Sequence, residues 1–179
     1  MTRASLTKPA LAIVVALLGG SAAAQHHNQH QHGQTPYAGL HQSAVKALSD
    51  EQLADLKAGR GMGLALAAEL NGYPGPMHVL ELKDQLHLTA DQRQRFQQLY
   101  DGMKAEAIAA GETLIESEKA LDQQFAQRAM TPEALTALTA QIGDAQGKLR
   151  AVHLKYHLST AELLTATQGQ RYAELRGYR

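Results

Sequence analysis

The sequence predicts an all-α protein, and three features carry that prediction. Helix-start signals recur at Ser49, Thr89 and Thr165, each followed three residues later by Gln, the spacing of a capping box. Apolar side chains recur every three or four residues from Phe96 to Leu114, resume in phase at Leu121 and Phe125, and recur so again from Leu135 to Tyr156, the period that lines one face of a helix. No run of useful length alternates apolar with polar residues as a half-buried strand would.

Composition narrows the function classes. Of 179 residues, 44% are hydrophobic, and 17 Lys and Arg balance 17 Asp and Glu, so no basic excess is available to neutralise phosphates and a nucleic-acid partner is not expected. The chain has no cysteine, which excludes disulfides, thiolate metal sites and thiol catalysis. Any metal must bind through His, carboxylate or Met, and nine His residues are available.

Residues 1–24 read as a secretory signal peptide. Arg3 and Lys8 precede the apolar run Ala10 to Leu18, and Ala22-Ala23-Ala24 forms a small-residue cleavage site. The apolar stretch is shorter than the roughly 20 residues that span a bilayer, so no membrane span is expected after cleavage. Loss of Arg3 and Lys8 leaves fifteen basic groups against seventeen acidic ones, a slightly acidic chain that suits a periplasm.

Residues 25–48 read as a disordered arm rich in His and Gln. Between Gln25 and Gln42 lie five His and five Gln with almost no aliphatic surface, too little to offset the entropy of ordering. His26, His27, His30 and His32 there either collect Zn, Cu or Ni loosely or belong to a soluble spacer. Cleavage after Ala24 would also place His27 third behind a free amine, a terminus able to wrap Cu(II) or Ni(II) in a square plane of nitrogens; cyclisation of Gln25 would abolish it.

A helical domain is expected over residues 49–179. Ser49 caps a helix from about Asp50 to Leu70, whose Gly59-Arg60-Gly61-Met62-Gly63 centre costs about 1 kcal/mol per Gly relative to Ala and should bend or fray unless packed. Asn71-Gly72-Tyr73-Pro74-Gly75-Pro76 breaks the chain, and Pro76 suits the first position of a helix over Met77 to Leu86. Thr89 opens a long helix with Phe96, Leu99, Met103, Ala107, Ala110, Leu114, Leu121 and Phe125 on one stripe. Thr131-Pro132-Glu133 starts the next, whose Leu135, Leu138, Ile142, Ala145, Leu149, Val152 and Tyr156 step alternately by three and four, the seam of an antiparallel hairpin or coiled coil. Thr165 begins a short terminal helix ending near Arg176. Leu154 and Leu158 lie off the seam, so either a second copy of the chain or the folded-back terminal helix covers them.

The paired motifs Leu88-Thr-Ala-Asp-Gln92 and Leu164-Thr-Ala-Thr-Gln168, each at a helix start and separated by a long helix pair, resemble the LTxxQ repeats of the Spy/CpxP periplasmic proteins. Heavy-metal-resistance relatives of the ZraP and CnrX type are similar in architecture. The resemblance covers roughly residues 77–175. It implies a thin, curved, all-helical homodimer that holds unfolded client proteins without ATP or acts on an envelope-stress sensor, with some relatives binding Zn, Ni or Co. Arg93, Arg95, Lys104, Lys148, Arg150 and Lys155 are available to line a client-holding face.

The defined metal candidates lie on helices. His153 and His157 are one turn apart, a spacing that grips one side of a divalent ion. His78 and Glu81, three apart, offer a second half-site for Zn, Ni, Co or Cu, provided the helices meet. Alternatively, His153 and His157 flank the apolar seam at its edge. Met62 and Met77 read as soft ligands or gap fillers. No phosphate loop, nucleophile elbow or H-E-x-x-H motif is present, so an enzyme is not expected. Glu116 and Glu118, on opposite sides of their helix, read as solvated charges.

Overall fold

The computed structural model describes residues 37 and 40–178. Every regular element among them is helical: a 3-10 turn at Leu40–Gln42, then α1 (Asp50–Ala58), α2 (Leu66–Glu69), α3 (Pro76–Glu81), α4 (Ala90–Ala126), α5 (Pro132–Leu163) and α6 (Ala166–Arg176). None of these helices is long and apolar enough to cross a membrane.

The three capping boxes form as spaced. Ser49, Thr89 and Thr165 each accept from the backbone N–H of the Gln three residues on, and each Gln side chain accepts from the cap's own N–H. Such a cap stabilises a helix by about 1 kcal/mol. Thr131 caps α5 through Ala134 N–H, with Pro132 at the first helical position where its missing N–H costs nothing.

The single helix expected over residues 50–70 is two helices. Gly59 takes φ 66° and ends α1 as a left-handed cap, its N–H bonded to carbonyls of the last turn. A Cβ there would also come within 2.8 Å of the Lys104 carbonyl oxygen, so the close approach to α4 and the backbone geometry require glycine together. The next helix stops at Glu81 rather than Leu86, and the chain turns through His87 at φ 50° before Thr89 starts α4.

Two apolar cores hold the helices together. In the first, Val45, Leu48, Leu53 and Leu56 pack on Ala107, Leu114 and Ile115 of α4 and on Ile142, Ala145 and Leu149 of α5. Val45 and Leu48, expected in the arm, therefore belong to the helical body, where Lys46 also pairs with Asp122 at 2.8 Å. In the second, Val79, Leu86, Leu88, Phe96 and Tyr172 gather α3, the start of α4 and α6, with Leu163 and Leu164 against them. Each fully buried side chain of this size contributes about 1.5–3 kcal/mol.

The stripe on α4 is buried through Phe96, Met103, Ala107 and Leu114, but Phe125 is 55% exposed and Leu135 on α5 39% exposed, because among the described residues no third helix reaches that end of the pair. α6 docks in the second core without covering Leu158, which stays 52% exposed. Glu118, expected in solvent, is buried against the first core's side of α4, and burial pushes its carboxyl up.

The two LTxxQ motifs touch. Gln92 Nε2 donates to Gln168 Oε1 at 2.9 Å and to the Leu163 carbonyl at 3.1 Å. Gln168 Nε2 donates to Gln92 Oε1 at 3.1 Å and to the Leu86 carbonyl at 3.2 Å.

Candidate functional site

Between the two cores, α2, α3, α5 and α6 converge on one carboxylate, Glu69, which is 4% exposed. The sharp turn over residues 70–75 brings Gly75 N–H back to Glu69 Oε2 at 3.0 Å. From α6, Tyr172 donates its hydroxyl to Glu69 Oε1, and Tyr178 donates to the same oxygen at 3.2 Å. His78 Nδ1 on α3 lies 3.3 Å from it.

These contacts set the protonation state. Burial alone would raise the Glu69 carboxyl, yet hydrogen bonds from His78 and Tyr172, the charge of His78 and the Gly75 amide bring it down to about 2. Glu69 is therefore ionised at neutral pH. Tyr172, buried beside that charge, has its phenol pushed well up and stays a donor.

His157 faces the site from α5. Its Nδ1 lies 2.6 Å from the Tyr73 carbonyl oxygen and 3.6 Å from Glu69 Oε2. A carbonyl only accepts, so Nδ1 carries a proton, and in the neutral tautomer the lone pair lies on Nε2. His153, one turn earlier and 2% exposed, has no hydrogen-bond partner for Nε2. Burial and then the charge of His157 push its imidazole below the usual range. Both rings are buried, so neither is an edge residue of the seam.

The histidines open onto a cleft of about 440 Å³ also lined by Glu69, Met62, Met77 and Met103. A second cavity, of about 470 Å³, lies on the other side of Glu69 against Tyr172 and Tyr178.

His78, His153 and His157 thus line one cleft. Glu81 does not: it is exposed at the end of α3, and Glu69 supplies the buried carboxylate instead. The reason is helical phase, because α3 buries Pro76 and Val79 and leaves Glu81 on its outer side. His26, His27, His30 and His32 fall outside the described residues. Among the described residues, no group of three or more His, Asp or Glu side chains is disposed to hold a metal ion.

Glu69, Tyr73, Tyr172 and Tyr178 belong to the site although no sequence motif marks them. A carboxylate just before a Gly-Pro-rich break is the one available signal, since such a turn carries free amides back toward it. The chain matches no known protein family, no curated protein and no solved structure.

Proposed function

We propose that the protein is a non-enzymatic envelope-stress protein of the Spy/CpxP kind, exported to the periplasm, where it acts as an ATP-independent holdase or as accessory to a stress sensor. In this reading α4 and α5 form an antiparallel hairpin, and two copies pair into a thin curved dimer.

The observation that carries the reading is the contact between the LTxxQ motifs. Each Gln caps its own helix and bonds the other motif, which gives a physical reason for the motif to occur twice. Exposed Leu66, Leu70, Phe125 and Leu158 supply apolar surface for a client or a second copy. A strongly basic cradle receives less support: Arg93, Arg95, Lys148 and Lys155 each pair with a carboxylate, Asp84, Asp91, Asp144 and Glu106 respectively. Purified residues 25–179 should suppress aggregation of an unrelated unfolding protein at near-stoichiometric ratio without nucleotide. Absence of suppression at several-fold excess would remove this function.

A second reading is a periplasmic metal binder or sensor for Zn, Ni, Co or Cu. It is favoured by the lining of the Glu69 cleft by His78, His153 and His157. Calorimetric titration of the full chain, beside a His153→Ala, His157→Ala variant, tests it; equal binding by both proteins would move all metal to the arm.

A further inference from the structure

The cleft holds sulfur as well as nitrogen. The chain has five Met and no Cys, and Met62, Met77 and Met103 all line the cleft that His153 and His157 enter. Met62 and Met77 are 40% and 42% exposed, unlike side chains that fill gaps in a core. Met62 also holds φ 44°, a left-handed conformation that costs a non-glycine residue about 1 kcal/mol or more and persists where the surroundings demand it.

The two imidazoles lie beside the segments that carry these sulfurs. The Cβ position of Gly61 is 3.9 Å from His153 Nδ1, and Met62 is the next residue. The Cβ position of Gly75 is 3.0 Å from His157 Nε2, and Met77 follows two residues later. The Tyr73 carbonyl fixes the His157 tautomer with its lone pair on Nε2, the way an outer-shell acceptor orients a ligating histidine. His153 Nε2 is buried without a partner, at a cost of about 1–3 kcal/mol that a bound ligand would offset.

Donor chemistry selects the ion. Glu69 already takes bonds from Gly75, Tyr172 and Tyr178, and the described residues hold no set of three hard or imidazole donors disposed for Zn, Ni or Co. Thioethers with imidazoles suit a soft ion of low coordination number.

We infer that this cleft binds one soft monovalent cation, Cu(I) or Ag(I), through the imidazoles of His153 and His157 and the thioethers of Met62 and Met77. The inference rests on the metal-binding reading above and narrows it. The ion enters as the monovalent species, so no electron transfer is involved.

The test is anaerobic titration of the full chain with Cu(I) against a coloured Cu(I) chelator, followed by copper X-ray absorption. Residues 25–42 contain no sulfur, so sulfur in the copper shell cannot come from the His-rich arm. The expected result is one tight equivalent with sulfur scattering. Met62→Leu with Met77→Leu should lower affinity by at least about tenfold, as loss of even an outer-shell partner does, and should remove the sulfur signal. Thermal stability should hold, because Leu conserves the volume of Met. Met130→Leu should change neither affinity nor scattering. Copper bound by nitrogen alone, or undiminished by the double Met variant, overturns the proposal. Tight Zn or Ni binding lost with His153 and His157, without copper–sulfur scattering, overturns it while sparing the metal-binding reading. Absence of any metal site beyond the arm overturns both.

Discussion

Gln92 and Gln168 exchange reciprocal amide hydrogen bonds, 2.9 Å in one direction and 3.1 Å in the other, although 76 residues separate them. Each Oε1 also accepts from the N–H of its own capping Thr, at 3.1 Å for Thr89 and 3.0 Å for Thr165. Each Nε2 has a backbone carbonyl as its second acceptor. Both amides are thus fully used, and the starts of α4 and α6 are coupled by polar bonds at the edge of the second core.

That coupling is measurable. Gln92→Ala and Gln168→Ala should each lower stability, and the double variant should lose less than the sum by about 0.5–1.5 kcal/mol, since the shared bonds are lost only once. Denaturant titration of the four proteins checks this. Strict additivity would mean that each Gln acts only on its own helix.

Gly111→Ala should be destabilising, against helix propensity. Gly in a helix interior ordinarily costs about 1 kcal/mol relative to Ala. Here, however, a Cβ at Gly111 would stand 2.9 Å from the Leu56 carbonyl oxygen, where α1 crosses α4. A lowered thermal midpoint confirms the close crossing, and a raised one refutes it.

Tyr172→Phe should cost about 1–3 kcal/mol, the range for depriving a buried charged acceptor of a donor. Tyr178→Phe should cost less, because Tyr178 is only half-buried and its bond to Glu69 is 3.2 Å long. Thermal melts of the two variants rank the donors; the reverse order would shift the weight of the site toward Tyr178.

Acid should destabilise the metal-free protein in two stages. The His153 imidazole is held below its ordinary 6.5 by burial and the charge of His157. The unfolded chain therefore takes up that proton first, and this stabilisation is full above pH 6.5 and declines as pH falls below it. Glu69 sits at about 2 against an ordinary 4.5, so its contribution is full above 4.5 and lost as pH falls from there toward 2. Melts in a chelator from pH 8 to 3 should show a plateau and then two descending limbs. Glu69→Gln should remove the lower limb and His153→Leu the upper; a midpoint unchanged between pH 7 and 5 would contradict the His153 assignment.

Local chemistry determined a large part of this protein from sequence alone. Ser49, Thr89, Thr131 and Thr165 mark the helix starts because a cap bonds amides only two or three residues away, and the three-four spacing from Phe96 and from Leu135 marks the two long helices. His78, His153 and His157 were likewise legible as candidates. What only the tertiary structure decided lies between distant segments. Glu69 rather than Glu81 became the buried carboxylate because the turn at residues 70–75 folds Gly75 N–H onto it and α6 brings Tyr172 and Tyr178. The helix expected over residues 50–70 was divided at Gly59, where contact with Lys104 on α4 favours a left-handed cap over helix continuation. Val45 and Leu48 joined the first core because α4 and α5 offer an apolar groove that local composition does not reveal. The meeting of the two glutamines, the Lys46–Asp122 pair and the bonds of His157 to Tyr73 and of Tyr172 to Glu69 each join residues more than 70 apart, and no local pattern encodes which of several similar side chains will make them.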